Sequence, residues 1–493
     1  MEGQQAGPND NSGTVRGRRT LALIALLGAA FMGILDSFIV VVAGPSIEAS
    51  LHATKPQLQL IFVAYVTTYA GVLILGGRLG DRFGHRNVFL IGVSGFTVAS
   101  VLCASAPGAM ELVADRILQA VFAALMVPQV LVLLQSMYPQ PRERAAALGW
   151  YTAAIGLAAV SGQLLGGALI GIGGSQPFAW RAIFLVNVPI GLFAVVLGVA
   201  RLGTNRPNPG MRVDTGGGVL QFMACSLLLA AVMLLASGFS WKLSAVTLTA
   251  AVLTMAAFAR LERKVEASGR AALVPMSMLA NPRFALPLAA ILVTYVTAGL
   301  NAIGSYYLQA GHQLAPLTAG LLYMPTGIAF TVGSALSGGF LARFGPRIAW
   351  VCQWGCAGVL ACLPGAITLS PPPWQPYVIS AISAAFGLLQ GNVAGPLLGL
   401  GMKGAGPQTA GAAAGVLLTG IQLSSAVGLA LLMAVFFEVL GAAHDLGAFN
   451  RALQYPVYLS VPLLVAGGFL IRRALAVAPT LGPSVRAAGM GSK

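Results

Sequence analysis

Along this chain, apolar residues come in long runs separated by short stretches where charges, glycine and proline collect. A window of about 19 residues, the length needed to cross a hydrocarbon layer of roughly 30 Å, finds fourteen such runs. They lie at about 20–46, 58–79, 87–106, 110–137, 145–172, 181–202, 215–237, 241–261, 284–309, 317–341, 347–369, 377–401, 409–438 and 455–475. Each predicts a membrane-spanning helix, because in lipid every backbone N–H and C=O must find its partner within the segment. Arg16, Arg18 and Arg19 ahead of Leu21–Ala30 give the first run the look of a secretory signal. It is too long for one, and it carries Asp36 in place of a small-residue cleavage site, so it is read as a retained helix.

Composition points the same way. Of the 493 residues 57% are hydrophobic and 8% charged, against about a quarter charged in soluble domains. Too few charges are available to build a water-facing surface, so lipid is the main solvent. Five cysteines (Cys103, Cys225, Cys352, Cys356, Cys362) all lie in apolar stretches. Cys352 and Cys356 sit one helical turn apart with no further ligand nearby, which predicts packing cysteines and no metal site.

The net charge of +15 is a topological signal. With the runs numbered in order, one side of the membrane carries Lys55, Arg181, Lys242 and Arg451, while Arg116 lies within a span. The other 23 of the 28 Lys and Arg fall with the two termini. That bias predicts both termini in the cytoplasm of a bacterial inner membrane. No basic cluster has the density or aromatic interleaving of a nucleic-acid face, so no nucleic-acid partner is expected.

Two loops repeat. Gly77-Arg-Leu-Gly-Asp-Arg-Phe-Gly-His-Arg86 follows the second run and Gly338-Gly-Phe-Leu-Ala-Arg-Phe-Gly-Pro-Arg347 the tenth; Gly77 to Gly338 is an offset of 261 residues. The same offset carries runs one, three and five close to the starts of later ones. An all-α membrane protein of two six-helix bundles related by a pseudo-twofold axis is expected, with runs seven and eight inserted between them. The division is 1–19 tail, 20–202 first bundle, 203–275 linker with two extra helices, 276–475 second bundle and 476–493 tail. Repeats of this kind place a substrate site at the bilayer midplane, reached by alternating access.

At this point the chain resembles the major facilitator superfamily, and within it the fourteen-span drug–proton antiporter branch. Gly77, Leu79, Asp81, Arg82, Gly84 and Arg86 are in register with the superfamily signature G-x-L-a-D-r-x-G-r-k. Arg116-Ile-Leu-Gln119 is similar to the R-x-x-Q signature of the fourth span. Leu35-Asp36 with Val40–Pro45 resembles the first-span signature of the branch, and Trp180, Arg181, Phe184, Asn187, Pro189 and Gly191 resemble the one before its sixth span. Gly149, Gly162, Gly166 and Gly167 match the antiporter signature of the fifth span, though its proline is Gln163 here and one glycine is Ala158. Ala342 stands where the second-half loop would repeat the aspartate, so only the first-half loop retains a full charge-relay gate.

Individual residues sharpen this. A charge at bilayer depth costs at least about 2.5–3.5 kcal/mol, so one that persists faces a cavity or a partner. Asp36, about fifteen residues into the first run, is read as a lone acid that binds and releases a proton as access alternates or that neutralises a cationic substrate. The resemblance assigns Arg116 to the same relay, with Asp115 beside it near the outer end of the fourth run. In the Gly77–Arg86 loop, Asp81 is positioned to pair with a basic residue or to cap a helix N-terminus. Such a latch would stabilise the outward-facing state. Polar and aromatic residues within runs are pocket candidates: Tyr65, Tyr69, Gln119, Gln163, Tyr295, Asn301, Tyr306, Tyr323, Gln353, Gln390, Asn392 and Gln422. No acid lies deep in a second-half run, which favours a mostly apolar pocket with few polar anchors.

The expected function is proton-coupled efflux of small hydrophobic drugs or natural products. Uptake of a nutrient on the same fold is the alternative, since fold alone does not separate the two. His52, His85, His312 and His444 are scattered, and neither H-E-x-x-H nor Gly-Lys-Ser/Thr occurs, so no enzyme activity, metal or cofactor is expected beyond a proton gradient. The expected partners are protons, a small hydrophobic substrate and the lipid bilayer, with the protein acting as a monomer.

Overall fold

A computed structural model describes residues 11–172, 179–203, 214–236, 240–314, 316–441 and 445–477. Most of both expected tails and part of the linker lie outside them. The described residues contain fourteen helices long and apolar enough to cross a membrane. They are α1 (Asn11–Leu51), α2 (Lys55–Phe83), α3 (His85–Ser105), α4 (Ala109–Met137), α5 (Pro141–Ile172), α6 (Ala182–Arg201) and α7 (Thr215–Ala236). Then follow α8 (Trp241–Ala267), α9 (Pro282–Gly311), α10 (Pro316–Phe344), α11 (Arg347–Leu369), α12 (Gln375–Gly404), α13 (Ala410–Leu440) and α14 (Leu446–Val477).

Local chemistry sets several ends. Thr54 and Gln57 form a reciprocal capping box at the start of α2, with the Thr54 N–H donating to Gln57 Oε1 at 2.9 Å. Asn281 caps α9 by accepting from the Arg283 N–H at 3.0 Å. Between α2 and α3 the chain turns on Gly84 at φ +90°, and between α10 and α11 on Gly345 at φ +72°. Both values belong to the left-handed region that glycine enters without a Cβ clash.

The sequence repeat is visible in these elements. α2 and α10 are each 29 residues long, and Lys55 and Pro316 start them at the same 261-residue offset that relates Gly84 to Gly345. Packing repeats as well: α2 on α4 and α10 on α12, α3 on α4 and α11 on α12, α1 on α6 and α9 on α14. The two sets of helices meet along α5 with α10 and α2 with α13, while α7 packs on α2, α13 and α8. Without a hydrophobic drive between helices in lipid, such seams depend on small residues that let backbones approach. A Cβ on Gly76 would overlap the Ala124 carbonyl, and one on Gly338 would stand 2.7 Å from the Ala146 Cα.

Two spans of the second half differ from expectation. α14 begins at Leu446 rather than near 455, because Ala448, Phe449, Ala452 and Leu453 bury one face of an extra two turns. Asn450, Arg451 and Gln454 between them dilute the apolar run that a 19-residue window detects. α9 is broken by a tight turn at Val296–Ala298 and closes in a wide turn at Tyr307–Gly311. At the first break the Gly428 backbone of α13 packs against the Val296 carbonyl with no room for a side chain.

Candidate functional site

Asp36 and Arg116 are both buried, at 0% and 2% exposure, on helices α1 and α4. An Nη1 of Arg116 donates to Asp36 Oδ2 at 2.5 Å. Three further side chains complete the site. Gln119 Nε2 donates to Asp36 Oδ1 at 2.9 Å and to Ser100 Oγ at 2.9 Å, while its Oε1 accepts from Arg116 at 2.6 Å. Asn187, from α6, donates to the same Asp36 Oδ1 at 2.9 Å and to Ser100 at 3.3 Å. The Arg116 guanidinium lies over the Tyr65 ring, 4.0 Å from its centroid, and 5.7 Å from that of Phe184. Tyr69 stacks on Tyr65 at 6.0 Å.

This corrects the expectation of a lone acid. Arg116 supplies the charge, and Gln119 and Asn187 supply amide donors, so the Asp36 carboxylate is compensated where it is buried. Arg116 Nε and Asn187 Oδ1 remain without a hydrogen bond. Asp115 occupies the neighbouring position on α4, is half-exposed, and makes none of these contacts. Ser100 and Asn187 were not among the expected site residues. Asn187 belonged to a recognised signature, whereas a single serine in an apolar run carries no signal.

A second cluster lies at the Gly77–Arg86 loop. Asp81 Oδ1 accepts the Gly411 N–H of α13 at 3.0 Å, while its Oδ2 pairs with Arg78 Nη1 at 3.2 Å. His85 Nε2 is 3.4 Å from Asp81, and His85 Nδ1 is 2.7 Å from Gln129 Oε1. A carboxylate on the first free N–H groups of a helix is favoured by the helix dipole. Gly77 and Gly411 touch backbone to backbone beside it. Gly84 makes the turn. Arg82 lies on Phe83 at 4.9 Å, and Arg86 donates to the Val199 carbonyl at 2.9 Å. The basic partners of Asp81 are therefore Arg78 and His85.

On α5, Gly149 lets the Ser334 carbonyl of α10 approach, and Gly162 faces the Leu35 carbonyl next to Asp36. Gly166 is buried on the same helix; of Gln163 and Gly167 only the helical backbone is described.

The pocket candidates separate. Asn301 and Tyr323 line one small cavity in the second half, about 30 Å³ in volume and partly open. Its walls are Leu360, Leu363, Ile379, Ile382, Phe386, Leu453 and Val457, with Thr297, Thr326 and Ser383 as further polar groups. Thr326 Oγ1 is buried without a partner. Tyr306 packs on Phe436 and Phe437. Gln353 Nε2 donates to Thr294 at 2.9 Å, Gln390 accepts from Cys356, and Asn392 donates to the Leu388 carbonyl of its own helix. Tyr295 and Gln422 are half-buried away from the cavity lining.

The sequence matches the family model described as Major Facilitator Superfamily over residues 26–429. The chain belongs to that superfamily. This facilitator is 34% identical to the probable actinorhodin transporter of Streptomyces coelicolor over 90% of its own length and 75% of that protein. It is 33% identical to the puromycin resistance protein pur8 of Streptomyces alboniger over 85% of this chain and 82% of the other. Its fold superposes on the human organic anion transporter MFSD10 with a TM-score of 0.61 at 15% identity, covering 93% and 99% of the two chains. The facilitator is accordingly a multi-pass membrane protein of a transporter family.

Proposed function

We propose that this facilitator exports a drug or natural product of largely apolar character in exchange for protons. It would do so as a monomer in a bacterial cytoplasmic membrane, with both termini in the cytoplasm. The observation that carries the reading is the buried Asp36–Arg116 pair with its Gln119 and Asn187 donors. Support comes from relatives named for transport of, or resistance to, actinorhodin and puromycin. The basic residues concentrated with the termini support the orientation.

The chemistry follows from the contacts. A proton delivered to Asp36 Oδ2 occupies the lone pair that now accepts from Arg116, and the carboxyl loses its charge. The Arg116 guanidinium is then held by Gln119 Oε1 and the Tyr65 face alone. That weakens the tie between α1 and α4 and favours the other arrangement of the bundles. Release of the proton on the opposite side restores the pair. Substrate is held in the second half by apolar walls, with Asn301, Tyr323 and Thr326 as polar anchors, so the two sites are coupled through bundle movement.

The test is transport into everted vesicles from a panel of dyes and antibiotics, with and without a pH gradient. Gradient-dependent accumulation that Asp36→Asn abolishes is the expected result. Accumulation unaffected by collapsing the gradient, or wild-type rates in Asp36→Asn, would remove proton coupling at this residue.

A further inference from the structure

The inserted helices α7 and α8 have no counterpart in the repeat, yet they reach the latch directly. Arg78 on α2 is 4% exposed and uses its whole guanidinium. Nη1 pairs with Asp81, Nε donates to the Leu273 carbonyl at 3.0 Å, and Nη2 donates to the Ala272 carbonyl. Ala272 and Leu273 belong to the short irregular segment between α8 and α9, and with Val274 they are almost fully buried. The other edge of this strap is bonded to α8. The Val274 N–H donates to Glu262 Oε2 at 2.9 Å and the Met276 N–H to Glu266 Oε2 at 2.8 Å.

Glu262 is itself 0% exposed, with Oε1 resting on Gly217 at the start of α7. α7 in turn packs against both helices that the Asp81 latch joins, with Phe222 against Gly71 of α2. Hydrogen bonds therefore run without interruption from α8 through Glu262, the strap and Arg78 to Asp81 and Gly411.

We propose that α7 and α8 are a clamp on the latch, with Glu262 and Arg78 as positioning residues that hold Asp81 on the N-terminus of α13. Glu262 fixes the strap; the strap carbonyls fix the Arg78 fork; the fork fixes the Asp81 carboxylate facing Gly411. A guanidinium is needed for this, because one rigid fork serves two carbonyls and a carboxylate at once, which a lysine ammonium on a flexible stem does not. Loosening the strap at Glu262 lets the fork reorient and lowers the population of the latched state.

The test reads the latch rather than transport, so it stands whether or not the efflux reading holds. In the full chain with its five cysteines replaced by alanine, Ala414→Cys places a buried thiol one turn inside Gly411. Purified protein in lipid nanodiscs is treated with a membrane-impermeant maleimide. Glu262→Ala is expected to raise the labelling rate about tenfold, and Arg78→Lys to raise it in the same direction, as loss of a charge-assisted hydrogen bond implies. Glu262→Gln keeps an acceptor for the Val274 N–H and is expected to stay within twofold of the parent. A parental rate in folded Glu262→Ala, or equal rates in the alanine and glutamine variants, overturns the clamp.

Discussion

Gly77 of α2 and Gly411 of α13 face each other so closely that a Cβ on either would overlap the other's carbonyl oxygen. The Asp81 carboxylate reaches the Gly411 N–H only because the two backbones come this near. The first prediction concerns that approach. Gly77→Ala should separate the helices, break the Asp81–Gly411 bond and reduce efflux at least tenfold with normal membrane insertion. Gly339→Ala, where a Cβ meets open space, serves as the control. Equal transport by both variants would show that the seam is not needed.

Asp81→Asn tests the charge separately from the approach. The amide keeps an acceptor for Gly411 but loses the interaction with the helix dipole and Arg78, of the order of 0.3–2 kcal/mol. Turnover should fall by about three- to tenfold while KM changes less than twofold, because the latch acts on the conformational step. A raised KM at unchanged turnover would contradict the latch.

How much of this was legible from sequence differs by residue. Asp36 and Arg116 stood out because a charge in an apolar run is costly anywhere in the membrane, whatever its neighbours. Their pairing did not, since it depends on how α1 and α4 are rotated against each other across a sequence separation of 80. Asp81 was legible as a helix cap or ion pair, but its partners were not: Gly411 is one of 62 glycines, and Arg78 is one of many basic residues on its side. The breaks in α9 come from packing against α13 at Gly428 and carry no local signature. The spans and the repeat were readable because hydropathy and offset are properties of the chain alone.

The Asp36–Arg116 pair makes single substitutions ambiguous in an informative way. Removing one partner of a buried pair leaves an uncompensated charge and costs about 3–5 kcal/mol, whereas removing both costs far less. Arg116→Gln should therefore lower the thermal stability of the purified protein, and adding Asp36→Asn should restore much of the loss without restoring proton-driven transport. Additive destabilisation in the double variant would mean that the two charges are not energetically coupled.

The cavity gives a substrate-level prediction. Thr326 Oγ1 is a buried hydroxyl without a partner, and Tyr323 presents its hydroxyl to the same space. If they anchor a polar edge of the substrate, Tyr323→Phe and Thr326→Val should raise KM by about three- to thirtyfold each, a hydrogen bond's share of binding, with little change in turnover. Asn392→Ala, whose amide is engaged with the Leu388 carbonyl, should leave KM unchanged. Unaltered KM in both cavity variants would move the binding site elsewhere.

The far end of α9 offers a pH test. His312 Nε2 lies 3.2 Å from the Tyr307 hydroxyl, which also contacts Gln375 and Asn450 and so ties the wide turn Tyr307–Gly311 to α12 and α14. Burial holds His312 below its ordinary value of 6.5, outweighing the opposing hydrogen bond with Gln375. The folded state thus binds this proton less readily than the unfolded one. The stability contributed by the neutral ring is complete above 6.5 and is lost as the pH falls through the lowered folded value. Wild-type protein should lose more thermal stability between pH 7.5 and 5.5 than His312→Gln, which cannot titrate but keeps a hydrogen-bonding amide. Identical pH profiles for the two would show that the folded protein binds this proton as readily as the unfolded chain.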